Sequence, residues 1–108
     1  MTPKQTAAQV ALIKQTVAGA VGVSPAQIDG ESREADTVKA RHLSMLFCRR
    51  LLGMSYPAIA EAFNKPTHVT ALLACRAMET KIATNKKTAL FSESLEGVIR
   101  AKLSVTRK

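Results

Sequence analysis

The sequence predicts an all-α domain of about six helices, and three observations carry that reading. Alanine, leucine and lysine are common and runs of β-branched residues are absent, a composition that favours helix over strand. Apolar residues recur at three- and four-residue spacing along most of the chain. The breaks between these segments hold Gly, Pro, Ser or Thr where helix ends need them. The chain has 108 residues, enough for one compact domain spanning 1–108 and not for two.

Each helix has its own justification. Thr2 can cap the first, with Pro3 at its first position. Val10, Ile13, Val17 and Val21 share a face, and Gly22 ends it. In "SPAQI", Ser24 caps and Pro25 opens a short helix closing near Gly30. "GESREADT" is polar, without periodicity, and reads as a loop. The third helix should run from about Thr37 to Leu52. Leu43, Phe47, Arg50 and Leu51 share one face, Met45 and Leu46 lie beside it, and Lys39, Arg41 and Arg49 fall at its margins. Gly53 terminates it. Ser55 caps a short fourth helix with Pro57 in its first turn and Ile59, Ala62 and Phe63 inward. After "NKP" a fifth helix begins near Thr67 and runs to about Thr84, with Ala71, Cys75, Met78 and Ile82 as its apolar stripe. "TNKK" breaks the pattern. Phe91, Leu95, Val98, Ile99 and Leu103 make a final amphipathic helix capped near Thr88 or Ser92, with "TRK" frayed at its end. Leu43, Phe47, Phe63, Ala71, Cys75, Met78 and Ile82 are the expected core.

A short helix, a polar break and a long helix, over about residues 55–84, is the pattern of a helix–turn–helix unit. Charge singles out the same half of the chain. The net charge is +8, but residues 1–38 hold three basic and four acidic residues, while residues 39–108 hold thirteen basic and four acidic. A basic half suits a polyanion. The first turn of the fifth helix places His68, Val69 and Thr70 off the core stripe. There imidazole and hydroxyl groups can bond base edges or phosphates, and Val69 can meet a thymine methyl. Arg41, Arg49, Lys65, Arg76 and Lys81 are the cations nearest this unit and the expected phosphate contacts. The competing reading is plain capping by Thr67 with a solvated His68. Leu73, one turn after Val69, either packs on the preceding helix or meets a partner.

Other chemistries find little support. His42, Cys48, His68 and Cys75 are the only soft ligands, and His68 and Cys75 stand two turns apart, too far to share one ion. Cys48 and Cys75 read as core thiols of a reducing compartment. "GAVGVS" lacks the lysine of a phosphate loop, and no nucleophile–base pair or apolar carboxylate pair stands out, so no enzyme, cofactor or small-molecule substrate is expected. Lys14 interrupts the only N-terminal apolar segment, and no run is long enough to span a bilayer, so a cytoplasmic, nucleoid-associated location is expected.

The segment "AEAFNKPTHVTALLACRAME" resembles the signature of the C-terminal DNA-binding domain of the replication initiator DnaA family, typically A-F-G-G-R-D-H-T-T-V-L-H-A-C-R-K-I. Ala62, Phe63, His68, Thr70, Leu72, Ala74, Cys75 and Arg76 match. "KARHLSMLFCRRLLGMSYPAIAEAF" is similar to the family's basic helix and the short helix after it, and "VGVSPAQIDG" to its entry segment. The resemblance covers roughly residues 15–104. It implies an all-helical fold of the Trp-repressor-like and DnaA C-terminal kind, with the helix–turn–helix in the major groove of double-stranded DNA and the preceding loop in the minor groove. It puts His68, Val69 and Thr70 near bases or phosphates with Lys65 and Thr67 beside them. Arg33 and Lys39 fall at the loop, and Ser55 to Pro57 open the helix that crosses the backbone. It also implies a free-standing module without the initiator's ATPase, acting as a regulator of replication or transcription. Three departures bear on the base sequence read. Pro66-Thr67 replaces Arg-Asp, Val69 replaces a threonine, and the loop "ESREADT" is acidic where the family's is arginine-rich. The second reading is an interaction protein that keeps the fold and binds the replication initiator or another replication protein, which the acidic loop and the Val69–Leu73 pair favour.

Overall fold

The computed structural model describes residues 3–106, and the side chains of residues 6–105. The expected cap Thr2 and the final Arg107 and Lys108 lie outside the described residues. Six helices follow one another: α1 Pro3–Val21, α2 Pro25–Asp29, α3 Ala35–Leu52, α4 Tyr56–Ala62, α5 His68–Thr84 and α6 Lys86–Thr106. Among the described residues there is no strand. No described helix is long and apolar enough to cross a membrane.

α3 is the axis of the fold. Its residues 43–48 are all buried, so this stretch is enclosed on every side. It packs chiefly on α5 and α1, while α6 lies across α1 and α5. Phe47 and Phe63 are fully buried, and truncating either side chain to alanine should cost about 3–5 kcal/mol. Leu43, Phe47, Phe63, Ala71, Cys75 and Met78 are core as expected, whereas Ile82 is only half-buried. Arg50, placed on the apolar face of α3 by periodicity, is exposed and pairs with Glu96 at 3.7 Å.

The helix ends follow their sequence signals with two exceptions. Ser24 accepts from Gln27 N and the Gln27 side chain returns to Ser24 N, a complete capping box. Gly53 stops α3 at φ 65°, where an L side chain would be strained. The first exception is the start of α3, which lies at Ala35 and not Thr37, shortening the loop to residues 30–34. Asp36 thereby enters the first turn of α3, where its carboxylate meets the positive end of the helix dipole. The second is α6. Asn85 Oδ1 accepts from Thr88 N at 3.0 Å, so the helix starts at Lys86, Thr88 stands inside it and Ser92 is buried. The "TNKK" break is therefore a one-residue corner.

Lys14 is the polar exception in the α1 stripe. Its ammonium donates to Ala62 O and pairs with Asp29 Oδ1, each at 2.6 Å, and lies 4.4 Å from the Phe63 ring centroid. One buried cation thus ties the ends of α2 and α4 to α1.

Candidate nucleic-acid interface

The corner between α4 and α5 is built by a closed turn. Phe63 N and Lys65 N return to carbonyls of α4, the latter to Ala60 O at 2.8 Å. Asn64 takes the left-handed conformation, φ 57°. Asparagine is among the few residues that do so at small cost, and it stands where the DnaA-type segment has glycine. Pro66 and Thr67 then set the chain into α5. Thr67 occupies the N-cap with extended backbone but makes no side-chain capping bond. Its hydroxyl and the first N–H groups of α5 are therefore open at the surface.

The chain from Thr67 to Thr70 at the start of α5 is exposed. Thr67, His68, Val69 and Thr70 all face solvent, Val69 at 45%, and Leu73 follows at 58%. Leu73 does not bury itself against α4. Arg76 and Lys81, further along α5, are exposed and have no partner among the described residues. An open groove lined by Pro57, Glu61, Thr67, His68 and Val69 runs between the starts of α4 and α5. Ser55 caps α4, accepting from Ala58 N at 3.3 Å. Arg49 donates to Met54 O at 2.8 Å and stacks on the Tyr56 ring at 4.5 Å, which fixes the α3–α4 joint while leaving the residue exposed.

The loop before α3 is held from below, and here two expected phosphate contacts are corrected. Arg41 is 7% exposed. Its guanidinium donates to Ile28 O at 2.7 Å, Gly30 O and Ser32 O at 3.0 Å, and Gln27 O at 3.1 Å. It caps the C-terminal carbonyls of α2 and shapes the loop, so it does not face the surface. Lys65 is engaged in the same way. Its side chain is 8% exposed, and its ammonium donates to Gly30 O at 2.9 Å with Glu31 at 3.7 Å. Lys39 is drawn to α6, where its ammonium lies 4.9 Å from the Phe91 ring, and not to the loop. Arg33 alone of the loop's residues 30–34 is basic, and it is exposed without a partner among the described residues. A cavity of about 330 Å³ lined by Arg33, His42, Lys65, Pro66 and Thr70 joins the loop to the start of α5.

In the sequence His42 stands out only as a soft metal ligand. It lines this cavity, and burial, with help from the Arg41 and Lys81 charges, lowers its pKa below the ordinary histidine value. Among the described residues no three His, Cys, Asp or Glu side chains cluster as metal ligands would. Burial pushes the Cys48 thiol up to about 12 and the Cys75 thiol to about 11, which makes both inert core groups.

Comparison with known proteins agrees with this geometry. Residues 10–78 match the family described as the bacterial dnaA protein helix-turn-helix, a stretch that runs from α1 through α5 to Met78. The chain belongs to that family. It is 32% identical over 87 residues to the chromosomal replication initiator protein DnaA of Spiroplasma citri, covering 81% of this chain and 18% of that protein. It is 37% identical over 70 residues to a DnaA 2 of Chlamydia caviae, covering 65% of this chain and 15% of that one. The chain thus spans less than a fifth of the length of these relatives. In three dimensions it superposes on the crystal structure of a DNA replication initiation factor with a TM-score of 0.84 and 25% identity, covering 93% of this chain and 30% of that one. Against this family, the departures at Pro66, Thr67 and Val69 fall together on the exposed first turn of α5 and its approach, while the matching Ala62, Phe63, Ala74 and Cys75 lie in or against the core.

Proposed function

We propose that this protein is a non-catalytic module that binds double-stranded DNA sequence-selectively through α4 and α5, at sites related to the replication initiator's, and so regulates replication or transcription. The observation that carries this reading is the exposed, uncapped first turn of α5, with Thr67, His68, Val69 and Thr70 presented together in a family helix-turn-helix. In the major groove His68, Thr67 and Thr70 would bond base edges or phosphates and Val69 would meet a thymine methyl. Arg76, Lys81, Arg33 and the exposed Arg49 would hold the backbone.

The test is a mobility shift on random and selected duplexes across a range of salt. Log affinity should fall with log salt at a slope of about −0.9 per phosphate neutralised. Four exposed cations, Arg33, Arg49, Arg76 and Lys81, therefore support a slope of about −4. All seven basic candidates from the sequence would have supported a slope of about −6. His68→Ala should lose about 1–3 kcal/mol on the selected site and little on random duplex. Binding that ignores salt, or a specific-to-random ratio untouched by His68→Ala, would defeat the proposal.

One observation favours a second reading. Val69 and Leu73 form an exposed apolar pair, and Arg41 and Lys65 are spent inside the fold. A protein surface, such as the replication initiator or another replication factor, would then replace DNA. The same shift assay separates the two, because an adaptor gives no salt-dependent complex with duplex.

A further inference from the structure

α6 carries a second exposed face that the DNA reading does not use and that lies outside the family-matched residues 10–78. Its inward side is Ser92, Leu95, Ile99 and Leu103. On another side stand Leu90, Ser94, Gly97, Ala101 and Val105, spaced i, i+4, i+7, i+11 and i+15, with Val98 beside Gly97. All six are exposed, Leu90 at 57%, Val98 at 46% and Val105 at 72%. The steps from Leu90 to Ala101 follow the alternating four- and three-residue spacing of a two-helix seam, and Val105 lies one residue beyond the next position on the same side.

Gly97 is the sharpest feature. It sits inside a 21-residue helix, where glycine is less favourable than alanine, and a side chain there would meet nothing within 4 Å. Nothing within the monomer requires a glycine. A helix crossing closely at that point does.

We propose that α6 pairs antiparallel with α6 of a second copy of this chain. The face is self-complementary in one register. A two-fold axis midway between residues 97 and 98 sets Gly97 opposite Val98 of the copy, Ser94 opposite Ala101, and Leu90 opposite Val105. Val98 then fills the gap that Gly97 leaves, and the large residues close both ends. The charges agree with this register. Glu93, which has no partner among the described residues, comes within about two residues, roughly 3 Å along the axis, of the copy's Arg100 on the same flank, a guanidinium that within its own chain pairs with Glu96 at 3.2 Å and can bridge both carboxylates. A parallel pair would instead align Gly97 with Gly97, leaving a hole, and Glu93 with Glu93. The segment from Leu90 to Val105 is about 22 Å long, so the interface is smaller than that of a permanent dimer, and the association should be weak and concentration-dependent.

Sedimentation equilibrium of the full chain from about 10 μM to about 1 mM should show the average mass rising from one copy towards two. Val98→Lys and Gly97→Gln should each hold it at one copy, with thermal midpoints unchanged or, for Gly97→Gln, raised. Orientation is read by oxidising variants with one added cysteine, Cys48 and Cys75 being buried. A mixture of Ser94→Cys and Ala101→Cys should cross-link much faster than either variant alone. A wild-type chain that stays at one copy throughout, variants that associate as the wild type does, or Ser94→Cys cross-linking with itself as fast as with Ala101→Cys would each overturn the proposal.

Discussion

Replacing Arg41 separates a role inside the fold from one on DNA. The side chain makes four N–H···O bonds to backbone carbonyls, between 2.7 and 3.1 Å, from a position 7% exposed. A hydrogen bond with one charged partner contributes about 1.5–3 kcal/mol net, which summed naively would give roughly 6–12 kcal/mol. That sum overshoots. Three of the four bonds are only part-buried, so water can reach those carbonyls once Arg41 is gone, and the bonds act as one unit. Deleting Arg41 leaves neutral carbonyls and no buried charge, each buried unsatisfied carbonyl costing about 1–3 kcal/mol, and with one of the four bonds buried and three within reach of water Arg41→Ala should cost about 3 kcal/mol. At about 4 °C per kcal/mol for a domain of this size, the thermal midpoint should fall by about 12 °C.

Arg41→Lys sharpens the test. A single ammonium keeps the charge but cannot span four carbonyls on two sides of a planar fork, so it should recover at most about half the loss. Thermal unfolding followed by circular dichroism gives the stability, and hydrogen exchange should show lost protection at Ile28 and Gly30 first. The opposite outcome is specific. If Arg41→Ala leaves the midpoint within about 2 °C while weakening binding to every duplex and flattening the salt slope by about one, Arg41 is a phosphate contact and the reasoning here fails.

Two further outcomes follow from the same corner of the fold. Asn64→Gly should be neutral or stabilising and Asn64→Ala should cost about 1–2 kcal/mol in thermal denaturation, because φ 57° suits glycine and strains alanine. The folded pKa of His42 lies below its unfolded value, so the unfolded chain binds the proton first. Stability should be full above about pH 6.5 and fall as pH drops from there towards the folded pKa. His42→Gln should remove that part of the acid sensitivity in denaturant titrations at pH 7 and pH 5.5.

The helices and the core were legible because their signals are local. Ser24, Pro25, Gly53 and Ser55 announce ends within a few residues, and the stripe of α5 needs only its own periodicity. What the sequence hid depends on contacts between distant segments. Arg41 reaches residues 9–14 positions away and Lys65 reaches Gly30, 35 positions away, and both choose backbone carbonyls, which leave no pattern of side chains to read. A count of cations near the helix-turn-helix therefore overestimates the charge on offer to DNA. Asn85 was missed for a different reason. Read with two lysines it looks like a polar break, yet asparagine is a strong cap and the lysines continue the helix after it.

The acidic loop, which from sequence opposed DNA binding, changes meaning when its charges are placed. Glu31 answers Lys65, and Asp36 sits in the first turn of α3. Glu31, Glu34 and Asp36 are balanced by Arg33, Arg41 and Lys65, so this end of the fold is neutral as a whole. A neutral loop has no electrostatic reason to enter a narrow, electronegative minor groove, although Arg33 remains free to touch a phosphate. α5 carries Arg76 and Lys81 against Glu79, a net charge of +1. Arg76 and Lys81 stand beyond the exposed turn without partners among the described residues, and Glu79 is the one acidic residue between them on the helix. Whatever DNA affinity this domain has should therefore come through α5 in the major groove. That is also where Pro66, Thr67 and Val69 depart from the family's residues, so its preferred base sequence should diverge from the initiator's most where α5 reads it.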